Sequence, residues 1–237
     1  MKVKSKEAVF SEDLVKTEKT LLDKAAQVSQ GFRVKACRGA RGCPNAITSS
    51  ATLLRRIEDF LHQENLTEFL QERVGGPLRH HHRFRVAISE CPNACSQVHI
   101  QDLGLIGQME PELTGECTKC GSCEEACEEG AIRVEDRFPV IDPERCLNCG
   151  ACVRACASGA LTPGRIGYRI LVGGKLGRHP RLAKELVSFA TEEEVLQILK
   201  KVIYLYKAHN RRGERLGQLI EDVGWEEFRK AILGEGL

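Results

Sequence analysis

The residues with the clearest chemical potential in this sequence are its twelve cysteines, which fall into three groups of four. Cys117, Cys120, Cys123 and Cys127 follow the pattern C-x2-C-x2-C-x3-C, and Cys146, Cys149, Cys152 and Cys156 repeat it. In the third group Cys37 and Cys43 enclose five residues, and Cys91 and Cys95 enclose three. Thiolates grouped in this way are soft metal ligands. Disulfides are the competing chemistry, but cysteine makes up about one residue in twenty, below the roughly 8–10% of a small disulfide scaffold. The basic start, Met1 to Lys6, is not followed by an apolar run of leader length. No stretch approaches the roughly 20 apolar residues of a membrane span. The expectation is a cytoplasmic protein in a reducing compartment, where clustered cysteines hold metals or catalyse.

The duplicated run extends beyond its cysteines. Aligning 117–132 with 146–161 at a period of 29 matches eight of sixteen positions, including Gly121/Gly150, Ala126/Ala155, Gly130/Gly159 and Ala131/Ala160. All-cysteine zinc sites typically use two separated pairs. Two runs of four at this spacing instead resemble the two-cluster bacterial ferredoxins, in which the fourth cysteine of each run ligates the other cluster. That pattern predicts one [4Fe-4S] cluster on Cys117, Cys120, Cys123 and Cys156, and a second on Cys146, Cys149, Cys152 and Cys127. The proline that usually follows the fourth cysteine is replaced by Glu128 and Ala157.

The other four cysteines share the tetrapeptide Cys-Pro-Asn-Ala, which occurs at Cys43 and at Cys91. Each pair follows a strand-like run, Phe32-Arg33-Val34-Lys35-Ala36 and Phe84-Arg85-Val86-Ala87-Ile88. Two loops at strand ends, each offering two thiolates, suit one shared metal centre. From the residues alone, a structural zinc and an iron–sulfur cluster both remain open.

C-x5-C followed by C-x3-C resembles the signature of the sirohaem-dependent sulfite and nitrite reductases. Gly173-Gly174-Lys175-Leu176-Gly177-Arg178-His179-Pro180 is similar to that family's G-G-x-x-G-R-H-P element, and Gly213-Glu214-Arg215-Leu216-Gly217 to its closing helices. The resemblance covers roughly 30–110 and 165–237, with the ferredoxin-like unit between them. It implies that Cys37, Cys43, Cys91 and Cys95 hold a third [4Fe-4S] cluster, and that Cys95 bridges this cluster to a sirohaem. Asn93 would lie beside the macrocycle, Arg38 and Arg41 would face the sirohaem or the cluster edge, and Arg178 would help bind the cofactor. Arg83 and Arg85, on one strand face because i and i+2 share it, are the candidate binders of carboxylates or of the substrate oxyanion, sulfite or nitrite. His179 lies near the cofactor in this family, without an axial role. The chain corresponds to the family's C-terminal half plus the insert, so part of the pocket is expected from a partner subunit or a second copy. The alternative is a non-catalytic electron carrier with three clusters and no sirohaem.

The charge pattern agrees with anionic ligands on the body of the protein. Formal charge is +2, from 35 basic and 33 acidic residues, which excludes a nucleic-acid-coating protein. Residues 113–164 hold nine acidic and five basic residues, a net of −4, leaving +6 for the rest. Glu124, Glu125, Glu128 and Glu129 form either a solubilising face or a docking surface for an electron-donor protein. His80, His81 and His82 are expected in a polar loop.

The positioning elements are read as helices over 7–30, 48–62, 67–74, 181–189, 191–209, 214–223 and 224–233, and strands near 32–37, 84–90, 97–106 and 166–173. Thr191 with Glu194 reads as a capping box, and Trp225, Phe228 and Ile232 as core. These predict an α+β fold, a mixed sheet with helices over 1–111 and 165–237, carrying a bacterial 2[4Fe-4S] ferredoxin-type insert over 112–164.

Overall fold

The computed structural model describes residues 30–136 and 138–234; the helix expected over 7–30 lies outside these apart from Gln30. A five-stranded mixed sheet organises the body. Its strands are β1 (Phe32–Ala36), β2 (Phe84–Ser89), β3 (Leu103–Leu113), β6 (Leu161–Val172) and β7 (Lys184–Ala190), in the order β1-β2-β3-β6-β7. The first three run parallel, while β6 and β7 are antiparallel to their neighbours. Two short strands, β4 (Ile132–Glu135) and β5 (Phe138–Ile141), form a separate hairpin.

Side-chain alternation explains why one sheet face is covered. Phe84, Val86 and Ile88 of β2, Leu103 and Leu105 of β3, and Tyr168, Ile170 and Val172 of β6 are buried in one apolar core. Helices α1 (Ser50–Gln63), α2 (Leu66–Val74), α5 (Glu192–His209), α6 (Leu216–Val223) and α7 (Trp225–Leu233) close that core. Helices and a mixed sheet thus form the expected α+β layers. Phe228 and Ile232 are buried, with Trp225 packed at the edge of the core. The Thr191 capping box forms as expected: Glu194 N–H donates to Thr191 Oγ1 at 3.3 Å, and Thr191 N–H donates to Glu194 Oε2 at 2.7 Å.

Two expectations need correction. The stretch 181–189, read as a helix, contains β7, because β6 presents an open edge and pairs Tyr168 with Ala190, Ile170 with Val187 and Val172 with Lys184. The strand expected over 97–106 starts only at Leu103. Gln97 adopts a left-handed conformation (φ 59°), and a single 3-10 turn at Val98–Ile100 follows it.

Strands β3 and β6 are also longer than expected, pairing out to Leu113↔Leu161. The acidic cysteine-rich segment therefore leaves and re-enters the sheet through two paired strands. It carries the β4–β5 hairpin and two short helices, α3 (Ser122–Glu125) and α4 (Ala151–Ala155).

Candidate metal centres and an anion pocket

The parallel pairing of β1 and β2 brings the two isolated cysteine pairs together. Residue by residue, Phe32 stands beside Phe84 and Ala36 beside Ile88, so both chains leave the sheet at the same end. Beyond it, Cys37 opens a 3-10 turn (Arg38–Arg41) and Cys91 follows Glu90. Cys37, Cys43, Cys91 and Cys95 line one cavity of about 490 Å³, with Arg38, Gly39, Ser89, Glu90 and Asn93. Its backbone supplies donors to sulfur: Gly39 N–H and Glu90 N–H each lie 3.4 Å from Cys37 Sγ. Burial raises the Cys91 thiol above its usual range, and the three neighbouring cysteines raise it further. Bound metal reverses this, because coordination deprotonates a thiol outright.

The duplicated runs adopt matching backbones. Lys119 and Asn148, one period apart, are both left-handed (φ 59° and 54°), as are Gly121 and Gly150 (78° and 66°) and Gly130 and Gly159 (56° and 72°). Cys127, Cys146, Cys149 and Cys152, the cross-copy set anticipated from the spacing, line a second cavity of about 220 Å³. Burial pushes the Cys152 thiol up to about 11, with Cys146, Cys149 and Cys127 adding to the rise. In the other set, Cys123 lies in a small apolar cluster with Ile132 and Leu161, against which Cys156 packs, as do Cys127 and Cys152. Cys117 is near enough to Cys123 to raise it further, and Cys120 is exposed. Hydrogen bonds from Ser122 lower the Cys120 thiol, and those from Ser158 lower Cys156.

The second cavity is also lined by Cys91, Pro92, Asn93 and Asn45. Cys91 and Asn93 therefore border both cysteine cavities. The insert is seated there by β3, where Met109 N–H donates to Asn148 O at 2.8 Å. A Cβ at Gly150 would lie 2.9 Å from Met109 Sδ, so a larger residue would strain this positive-φ position and displace the Met109 side chain. Gly150→Ala is expected to cost about 1–3 kcal/mol and to loosen this seat. The check is limited proteolysis, with faster cleavage near the insert than in wild type; equal rates would show that the contact does not hold it.

The structure places the anticipated arginines in different settings. Arg38 borders the four-cysteine cavity, whereas Arg41 is exposed on the same turn. Arg178 and His179 are exposed on the turn bracketed by the Lys175–Arg181 bridge. His80, His81 and His82 form the polar turn before β2. Arg83 and Arg85 line a cavity of about 200 Å³ with Arg33, Lys35 and His80. Arg33 and Lys35 are not among the residues singled out from the sequence. Their signal is the same alternation, but only the β1–β2 register sets Arg33 beside Arg85. Burial lowers Lys35, Arg83 and Arg85 from their usual values, and mutual repulsion lowers them further. Asp102, the carboxylate nearest Arg85, is already held by Arg215 at 2.7 Å. Such a collection of cations suits an anionic ligand.

Comparison with known proteins places this geometry in a family. Residues 28–237 match the family model described as "Nitrite and sulphite reductase 4Fe-4S domain". The chain is 33% identical over 200 residues to the coenzyme F420-dependent sulfite reductase of Methanocaldococcus jannaschii, covering 83% of this chain and 30% of that protein. It is 28% identical to a subunit of the anaerobic sulfite reductase of Salmonella typhimurium, covering 86% of this chain and 58% of the relative. The chain thus spans less than two thirds of either protein. A crystal structure of dissimilatory sulfite reductase I shares the fold, with a TM-score of 0.62 at 18% identity over 86% of this chain and 52% of that one. With its match running through both cysteine loops and both sides of the insert, the chain belongs to the nitrite and sulphite reductase 4Fe-4S domain family.

Proposed function

We propose that this chain is the iron–sulfur half of a sulfite reductase, holding three [4Fe-4S] clusters and carrying a sirohaem against the four-cysteine centre. The observation that carries this reading is the convergence of Cys37, Cys43, Cys91 and Cys95 on one cavity that shares Cys91 and Asn93 with the cavity of Cys127, Cys146, Cys149 and Cys152.

The donor chemistry fits clusters. Each set of four offers thiolates alone, the soft ligands that iron–sulfur clusters take. Backbone N–H groups already point at sulfur, as at Cys37, Cys127 and Cys156. Adjacency supports an electron path. Cys117, Cys120, Cys123 and Cys156, with Cys120 exposed, would hold the cluster of entry, and Cys127, Cys146, Cys149 and Cys152 the next. Cys91, which borders both cavities, would link that second centre to the four-cysteine centre. Exposed Glu124 and Glu125 follow Cys123 of the entry set, Glu128 and Glu129 line the neighbouring cavity, and together they would steer a donor protein with a basic face.

The residues present also fit a sirohaem. The macrocycle carries carboxylates, and Arg33, Lys35, Arg83 and Arg85 are cations lining one pocket; the Arg83 and Arg85 guanidiniums donate to the backbone carbonyls of Gln30 and His80, and Asp102 accepts from the Arg85 backbone N–H. These four would hold carboxylates or the sulfite oxyanion and balance their charge. Cys95, exposed at the cavity, would hold the sirohaem against the cluster, and Asn93 and Arg38 border the same space. When bound, sirohaem would supply the multi-electron redox chemistry. A partner subunit or second copy would complete the pocket.

Anaerobically purified protein should contain about thirteen iron atoms per chain, three cubanes and one haem iron. It should also show sirohaem absorption and reduce sulfite with an artificial reductant. About twelve iron atoms and no haem band would make the chain a non-catalytic electron carrier instead.

A further inference from the structure

We infer that Glu90 is a positioning residue that clamps the two loops of the four-cysteine centre to each other and to α1. The inference rests on the proposal that this centre holds an iron–sulfur cluster.

A carboxylate directly before Cys91 is an expensive residue to bury, and Glu90 is only 1% exposed. Its contacts account for the burial. Oε1 accepts from Ser50 N–H at 2.8 Å and from Ser50 Oγ–H at 2.5 Å, at the first turn of α1. A helix N-terminus is where an anion is best placed, because the exposed N–H groups and the helix dipole both favour negative charge. The backbone of Glu90 faces the other way. Its N–H points at Cys37 Sγ, and its carbonyl accepts from Ile47 N–H at 2.8 Å, in the segment between Cys43 and α1. One residue thus joins the Cys91 loop, the Cys37–Cys43 loop and α1.

The second carboxylate oxygen has a different role. Oε2 is buried and, among the described residues, has no hydrogen-bond partner. It packs against Gly39, where a Cβ would overlap the carboxylate, so glycine at 39 is what admits Glu90. Glu90 and Gly39 both line the four-cysteine cavity. Among the described residues, the hydrogen bonds to the Glu90 carboxylate come from Ser50 and from no cation.

The test is iron analysis of the whole anaerobic protein together with electron paramagnetic resonance. Glu90→Gln keeps the size and an acceptor for Ser50, and is expected to keep wild-type iron content and every cluster signal. Glu90→Ala, which removes the clamp, should lose about four iron atoms per chain, with the signal of the four-cysteine centre alone missing. A Glu90→Ala protein with full iron, or a Glu90→Gln protein as depleted as Glu90→Ala, would overturn the clamp. A wild-type protein with only about eight iron atoms would overturn the three-cluster reading itself, which separates that failure from failure of the inference.

Discussion

On the proposed function, replacing Cys91 by serine is expected to remove the four-cysteine centre and abolish sulfite turnover while leaving the two ferredoxin-type centres in place. Cys91 is 8% exposed and borders both cysteine cavities. A serine hydroxyl there is a hard, weakly acidic donor and a poor substitute for a soft thiolate. Iron should fall by about four atoms per chain, or about five if the sirohaem is lost with the cluster. The irons of the insert should still be reduced by dithionite, because their ligands come from the other two runs. Iron analysis together with electron paramagnetic resonance checks this; loss of all iron would mean that the three centres assemble as one unit. Cys95→Ser separates the ligand from the bridge. Magnetic coupling between cluster and haem iron should vanish, and coupling that survives would remove Cys95 from the bridging position.

Removing Arg215 is expected to have the largest effect on stability. Asp102 is fully buried and is paired with Arg215 at 2.7 Å, whose side chain is only 12% exposed. The same carboxylate accepts from Arg85 N–H at 2.8 Å and from Leu216 N–H at 3.2 Å. It therefore ties the strand that carries the anion pocket to the start of α6. Arg215→Met leaves a buried carboxylate without its cation, at a cost of about 3–5 kcal/mol. Urea unfolding should show this as a lowered midpoint. Adding Asp102→Asn in that background should recover part of the loss, because the neutral amide still offers an acceptor to the backbone N–H groups. A double variant no better than Arg215→Met would mean that packing of the arginine stem, and not charge, holds the junction.

The two predictions draw on features that differ in how far they can be read from sequence. The cysteine runs are local. A C-x2-C-x2-C-x3-C spacing specifies where thiolates can reach, and its repeat at period 29 carries the left-handed positions with it, from Lys119 and Gly121 to Asn148 and Gly150. The capping box at Thr191 and Glu194 is equally local, because its partners lie three residues apart. Stretch 181–189 departs from its expected helix because a short run of mixed polarity fits either period. What makes Lys184–Ala190 a strand is the free edge of β6, a separate segment of the chain.

The sequence by itself determined the spacing of the two cysteine runs and the alternation that marks the apolar face of the sheet, since each depends on spacing within one segment. Only the tertiary structure decided that Cys91 and Asn93 border both cysteine cavities, that Arg33 and Lys35 join Arg83 and Arg85 in one pocket, and that Glu90 is buried between the cysteine loops and α1. Each of these joins segments distant in the chain. Their proximity follows from strand register and sheet order, and these are set by burial of the whole core and by no single run of residues.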